Sequence, residues 1–97
     1  MRLRFTPRAL ENLADIAAYL HERNPTAARR MRASIYQSLQ NLVLFPYAGR
    51  RQATESIRKI VTLRYPHLVY YIVDEAAGEI VILNVKHSAQ KRHHDDA

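Results

Sequence analysis

Three residues in the second half of the chain could take part in acid–base chemistry on a phosphate. Arg58 and Arg64 are six residues apart, so on one strand their side chains would share a face. His87 ends the last apolar run, where a neighbouring strand could bring it beside the two arginines. Cleavage of RNA requires cations around the phosphate and a group that moves a proton. The three residues therefore form a candidate ribonuclease site.

The same residues also fit a surface that binds a partner without catalysis. An arginine on an exposed strand is commonly a solvated cation or a partner contact, and a histidine at a strand end commonly lies at the surface or is hydrogen-bonded. We therefore assign no catalytic residue. Arg58, Arg64 and His87 stay as candidates, and a basic interaction face is the favoured hypothesis.

The overall charge points to an anionic partner. The 97 residues include 15 Lys and Arg against 9 Asp and Glu, which gives a formal net charge of +6. Only Lys59, Lys86 and Lys91 are lysine, so the cations are mostly arginine, whose planar fork of donors suits carboxylate and phosphate. A codon preference for arginine is the alternative explanation of this bias.

Cysteine content and hydropathy narrow the class of protein. The chain has no cysteine, which excludes a disulfide framework and a thiolate zinc site. We find neither a signal-peptide pattern nor a run of about 20 apolar residues, the length of a membrane span. We therefore expect a cytoplasmic protein with no membrane span and no cofactor. A single domain is expected over residues 1–92, followed by a polar, frayed tail over 93–97.

Local signals in the first half predict one strand and two helices. Arg2 to Phe5 alternates polar and apolar residues, as a strand does. Thr6-Pro7 and Asn24-Pro25 each offer a capping side chain followed by proline. Apolar residues then recur every three or four positions, to about Arg23 in the first helix and about Leu44 in the second. The short connection predicts an antiparallel helix hairpin.

The second half switches to β-branched and aromatic residues. After a polar loop, it predicts three strands, at Ile57 to Arg64, Leu68 to Asp74 and Glu79 to Val85. The last strand is apolar on both faces, which favours a central position. The expected fold is α+β, with the helix hairpin packed on a small antiparallel sheet in the order β-α-α-β-β-β. Tyr70 and Tyr71 must point to opposite faces, so one is expected in the core and the other at the surface.

Residues in five parts of the chain resemble the RelE/ParE toxin superfamily, and within it the ParE side. The set comprises Ala9, Leu13, Ile16 and Tyr19, then Phe45-Pro46 and Gly49-Arg50, then Arg58, then Tyr70-Tyr71, and finally Val85, His87, Gln90 and Arg92. The resemblance implies the α+β fold above and a toxin of a type II toxin–antitoxin system. It also implies a cognate antitoxin, encoded next to the toxin, that neutralises it by direct binding.

The resemblance leaves three functions open. ParE-like members inhibit DNA gyrase and have no established catalytic residues, whereas RelE-like members cleave mRNA on the ribosome with basic residues and a Tyr or His near the C-terminus. This sequence lacks a lysine-rich central loop and has no tyrosine after Tyr71. We therefore expect a gyrase inhibitor that is not an enzyme, with a ribosome-dependent mRNA endonuclease as the alternative. A non-toxic homologue that only binds an antitoxin is the third hypothesis.

The favoured hypothesis assigns roles to two sets of side chains. The expected target-binding residues are Arg50, Arg51, Arg58, Arg64, His87, Gln90 and Arg92. Tyr70 and Tyr71 are the candidates for antitoxin contact, by helix docking in a groove beside the helices or by strand addition. The tyrosines as a group are expected to be core or interface anchors rather than base-stacking platforms.

Two further clusters are given structural interpretations. His93, His94, Asp95 and Asp96 lie in the polar tail, where adjacent side chains are poorly organised for a metal, so we predict no metal site. The arginines of the second helix, Arg29, Arg30 and Arg32, fall on its polar side and are expected to be solvated. No helix-turn-helix or zinc pattern accompanies the charge, so sequence-specific nucleic-acid binding is not expected.

Overall fold

Both helices begin at the predicted capping signals. In a computed structural model, which describes residues 1–54, 56–62, 64 and 66–87, helix α1 spans Pro7–Arg23 and helix α2 spans Pro25–Leu44. Thr6 Oγ1 accepts a hydrogen bond from Ala9 N at 3.1 Å, and Asn24 Oδ1 accepts one from Ala27 N at 3.1 Å. Asn24 both ends α1 and caps α2, so the hairpin turns through a single residue. The predicted helix bounds are confirmed.

The strands form one mixed sheet. They are β1 (Arg2–Phe5), β2 (Arg50–Arg51), β3 (Arg58–Val61), β4 (His67–Asp74) and β5 (Glu79–His87), in the spatial order β1-β5-β4-β3-β2. The α+β fold with its helix hairpin on a sheet is confirmed. Two details differ from the expectation. β1 pairs with β5 in parallel, so the sheet is not purely antiparallel, and β2 forms within the segment predicted to be a loop.

The third strand is shorter than the sequence predicts. It ends at Val61 because Thr62 closes the β3–β4 connection: Thr62 N donates to His67 O at 3.0 Å, and His67 N donates to Thr62 Oγ1 at 2.9 Å. Arg64, at φ 56°, is in the left-handed region, which a strand cannot contain. The prediction that Arg58 and Arg64 share a strand face is therefore wrong.

A bulge in β5 is tied to the start of α1. Tyr70 pairs with Asn84 but Tyr71 pairs with Ile82, so Leu83 is an extra residue on β5. Thr6 Oγ1 donates to Leu83 O at 2.8 Å, and Asn12 Oδ1 accepts from Val85 N at 3.0 Å. Because the bulge shifts the alternation, Ile82 and Val85 both reach the core although they are three residues apart.

The core lies between the helix hairpin and one face of the sheet. α2 contributes its buried stripe of Ala28, Met31, Ile35, Leu39 and Leu42, at the predicted helical spacing. α1 packs on β5, which lies between β1 and β4, so the predicted central position of that strand is confirmed. Among the described residues, no helix has the length and apolarity that crossing a membrane requires.

Candidate functional site

Arg58 holds a loop rather than pointing into solvent. Its Nη1 donates to Gly49 O at 2.9 Å and to Tyr47 O at 3.2 Å, and its guanidinium carbon lies 5.1 Å from the centre of the Tyr47 ring. The Arg58 side chain thus contacts two backbone carbonyls and an aromatic ring. Arg58 on β3 is a positioning residue for residues 44–49, from the last residue of α2 to the start of β2, which we term the aromatic loop.

Tyr71 on β4 holds the same loop through its hydroxyl group. Its side chain is completely buried, and its hydroxyl donates to Pro46 O and accepts from Gly49 N, both at 2.8 Å. Burial raises the pKa of the Tyr71 phenol, while the Gly49 hydrogen bond and Arg58 lower it. The phenol therefore stays protonated at neutral pH and can donate.

Gly49 is required by the close approach of the Tyr71 ring. A Cβ atom added at Gly49 would lie 2.5 Å from the Tyr71 hydroxyl oxygen and 2.6 Å from a ring carbon. Side-chain Cβ atoms do not make contacts this short, so any other residue would push the loop away from β4. The Phe-Pro-x-x-Gly-Arg pattern thus includes a packing requirement as well as a helix exit.

The loop held in this way presents large side chains to solvent. Leu44 is 71% exposed, Phe45 66% and Tyr47 50%. The Tyr47 hydroxyl donates to a Glu75 carboxylate oxygen, and this hydrogen bond is the main reason that its pKa is raised. The sequence offered a signal for Leu44 that we missed: it follows Leu42 by two positions and so lies off the buried stripe of α2.

Three of the predicted target-binding arginines lie together beside this loop. Arg50 and Arg51 form the exposed edge strand β2, where Arg50 pairs with Lys59 and Arg51 pairs with Arg58. Because Arg50 and Arg51 are both exposed, this edge of the sheet presents positive charge to solvent. We term Arg50, Arg51 and Lys59 the basic edge.

Of the candidate ribonuclease residues, Arg58 and His87 pair with different positions along β4. His87 pairs with His67, and the two imidazole centroids lie 5.3 Å apart, edge to face. Arg58 pairs with Tyr71, four positions further along β4, which corresponds to about 13 Å along the strand. Arg64 lines a separate cleft with Arg30 and Asn41 of α2. The strand pairing therefore places Arg58 away from His87, and Arg58, Arg64 and His87 remain candidates rather than an assembled site.

The remaining predicted residues have mixed outcomes. Tyr70 and Tyr71 do point to opposite faces, with Tyr70 partly exposed and 5.6 Å from Lys86 Nζ. Because Tyr71 is completely buried, it cannot contact an antitoxin in this fold, and that assignment is corrected. Gln90, Arg92 and the 93–97 tail lie outside the described residues. Within the described part of the chain, no three His, Cys, Asp or Glu side chains cluster as metal ligands would.

A second surface lies between the two helices. This helix groove is lined mainly by apolar side chains of β1, α1 and α2: Phe5, Leu13, Ala14, Ala17, Met31, Arg32, Ile35, Tyr36 and Leu39. Tyr36 stands at its rim with 65% of its surface exposed. The general expectation that tyrosines serve as anchors did not single out Tyr36 in the sequence.

The fold is that of known toxins of toxin–antitoxin systems. It matches the solved chromosomal ParDE TA system from P. aeruginosa with a TM-score of 0.76 and 24% identity, over 90% of this chain and 95% of that chain. Two relatives are similar in sequence. The Sinorhizobium fredii protein Y4kP is 33% identical over 93% of this chain and 91% of its own length. Toxin RelE2 of Caulobacter vibrioides is 31% identical over 89% of this chain and 93% of its own.

The family model for the ParE toxin of the type II toxin–antitoxin system parDE matches residues 3–92, so the chain belongs to the ParE toxin family.

Proposed function

We propose that this protein inhibits DNA gyrase by binding it, and that a cognate antitoxin neutralises it by direct binding. Family membership and the basic edge support this proposal. The protein would act in the cytoplasm, where gyrase is found. No step of the proposed activity requires a cofactor or a covalent change in the target.

The engagement of Arg58 is the observation that carries the choice of binding over catalysis. Its Nη1 is occupied by two loop carbonyls, and its backbone position is offset from that of His87 by four residues along β4, about 13 Å. A general acid or base must reach the reacting group within hydrogen-bond distance. Arg58 is better explained as a residue that shapes a binding surface.

A supercoiling assay with purified gyrase tests the proposal. We expect the wild-type protein to inhibit supercoiling, and the double variant Arg50→Ala/Arg51→Ala to need at least about tenfold more protein, because interface arginines often dominate binding. The matched control is Arg8→Ala/Arg29→Ala, which removes the same charge from exposed helix positions. Undiminished supercoiling at excess wild-type protein would refute gyrase as the target.

The alternative function is ribosome-dependent cleavage of mRNA. It is favoured by the similarity to the relative named Toxin RelE2, at 31% identity. Cut mRNA in a translating extract, together with unaffected supercoiling, would establish it. Growth that continues normally when the protein is expressed alone would instead favour the third function, a non-toxic antitoxin-binding homologue.

The helix groove is the proposed antitoxin site. Its apolar lining suits the apolar face of an amphipathic helix, and the net charge of +6 favours approach of an acidic segment. The similar P. aeruginosa structure is of a ParDE TA system, which is consistent with a paired antitoxin. Titration of the protein with the product of an adjacent reading frame would measure this binding directly.

A further inference from the structure

The aromatic loop differs from an ordinary surface loop in how completely its backbone is held. Ala48 N donates to Phe45 O at 3.1 Å, Tyr71 bridges Pro46 O and Gly49 N, and Arg58 binds the carbonyls of Tyr47 and Gly49. These contacts come from α2's own end and from two strands. The loop therefore has one conformation set by the body of the fold.

The side chains on this rigid backbone are large and mainly apolar, unlike those of an ordinary solvated loop. Leu44, Phe45 and Tyr47 are all at least half exposed and occupy three of four consecutive positions. Large apolar side chains grouped at the surface mark interaction sites, and aromatic residues and arginine dominate binding hot spots. A backbone already fixed in its bound shape also loses little entropy when a partner docks.

We propose that the aromatic loop is a preformed docking surface for the toxin's target, a folded protein with an apolar pocket rimmed by acidic side chains. The pocket receives Phe45 and Leu44. The acidic rim faces the basic edge, because Arg50 follows Gly49 directly and runs into the exposed strand β2. This inference deepens the proposed function and rests on it.

The position of the loop separates it from the proposed antitoxin site. The helix groove includes Phe5 of β1, whereas the loop is held by β3 and β4. None of the described residues that line the groove belongs to the loop, and Leu39, which lines it, lies about 140° around α2 from Leu44. Substitutions in the loop can therefore weaken target binding without disturbing the groove.

The test compares Leu44→Ala/Phe45→Ala with the control Tyr19→Ala. Tyr19 is an aromatic residue of similar exposure, 58%, that lines neither surface. Each protein is measured for inhibition of purified gyrase, for growth arrest on expression and for binding to the adjacent-frame antitoxin. Circular dichroism melting confirms that all variants are folded. We expect the double variant to lose at least about tenfold in gyrase inhibition and growth arrest, with antitoxin affinity kept within threefold.

Two results would overturn the docking surface. One is a double variant that inhibits and arrests growth as well as wild type, and the other is a double variant that loses antitoxin binding to the same degree. The proposed function is tested separately, by the activity of the wild-type protein. If wild type arrests growth without affecting gyrase, gyrase is the wrong target, and loss of arrest in the double variant still supports the loop as the target-binding surface. If wild type causes no arrest and no inhibition, both proposals are wrong.

Discussion

Removing one oxygen atom, in Tyr71→Phe, should destabilise the protein and release the aromatic loop. The hydroxyl is the partner of both Gly49 N and Pro46 O, at 2.8 Å each. Phenylalanine fills the same space, so no cavity forms and packing is kept. The effect therefore isolates the two hydrogen bonds.

The magnitude follows from the burial of the two partners. Gly49 is buried, so its N–H has no access to water once the hydroxyl is gone, and an unsatisfied buried donor costs about 1–3 kcal/mol. Pro46 is only partly buried, so its carbonyl can bind water and adds about 0.5 kcal/mol. The expected loss is about 1.5–3.5 kcal/mol in the free energy of unfolding. For a domain of this size that corresponds to a fall in Tm of roughly 6–28 °C.

Urea unfolding and thermal melting measure this loss, with Tyr19→Phe as the control. Tyr19 is exposed, so its hydroxyl should contribute less than about 0.5 kcal/mol. A Tyr71→Phe protein that is within about 0.5 kcal/mol of wild type would contradict the structural role given to the hydroxyl. A large loss of stability in Tyr19→Phe would mean that even an exposed tyrosine hydroxyl contributes strongly, and the loss in Tyr71→Phe could then not be assigned to the two buried hydrogen bonds.

The same phenol gives a pH dependence whose sign can be worked out. The pKa of Tyr71 is raised above 10.0 in the folded protein by burial. As the pH rises past 10, the unfolded chain loses this proton while the folded protein keeps it, so unfolding becomes more favourable. The stabilising contribution is fully present below pH 10 and is lost as the pH rises through the folded pKa. We expect this alkaline loss in wild type to be steeper than in Tyr71→Phe.

Three further substitutions test the assigned roles. Arg58→Ala should lower the free energy of unfolding by about 1–2 kcal/mol in urea titrations. Arg58→Lys should restore only part of it, because an ammonium can donate to the carbonyls but cannot stack its plane on the Tyr47 ring; full restoration by lysine would count against a role for that stacking. Tyr36→Ala should weaken antitoxin binding about tenfold or more in a titration while gyrase inhibition stays unchanged, and equal antitoxin affinity would remove Tyr36 from that site. His87→Ala should leave growth arrest unchanged in an induction assay, whereas a large loss with antitoxin binding intact would favour the ribonuclease alternative.

The sequence indicates many of the residues of the candidate site, but it does not indicate the contacts that they make. Arg50, Arg51 and Arg58 were predicted as binding residues, and the pairing of β2 with β3 does place them side by side. The carbonyls that Arg58 binds lie 9 and 11 residues earlier in the chain, in a loop. Neither periodicity nor charge pattern indicates that a surface arginine is engaged in this way. Its role as a positioning residue could be found only from the fold.

Elements whose causes are local could be predicted from the residues alone. Thr6-Pro7 and Asn24-Pro25 set the helix starts, and the spacing of apolar residues set the buried stripe of α2, because caps and helical periodicity act within a few residues. Strand alternation likewise placed Tyr70 and Tyr71 on opposite faces.

Features that join distant parts of the chain could be found only in the folded structure. The sequence predicts a strand at Arg2 to Phe5. The parallel pairing of this strand with Glu79 to Ile82 depends on how the helix hairpin crosses the sheet. The left-handed turn at Arg64 removed that arginine from the strand face it was predicted to share with Arg58. The hydrogen bond between Tyr71 and Gly49 joins residues 22 positions apart and holds the aromatic loop against β4. Such contacts follow from packing the whole chain, which local residue patterns do not specify.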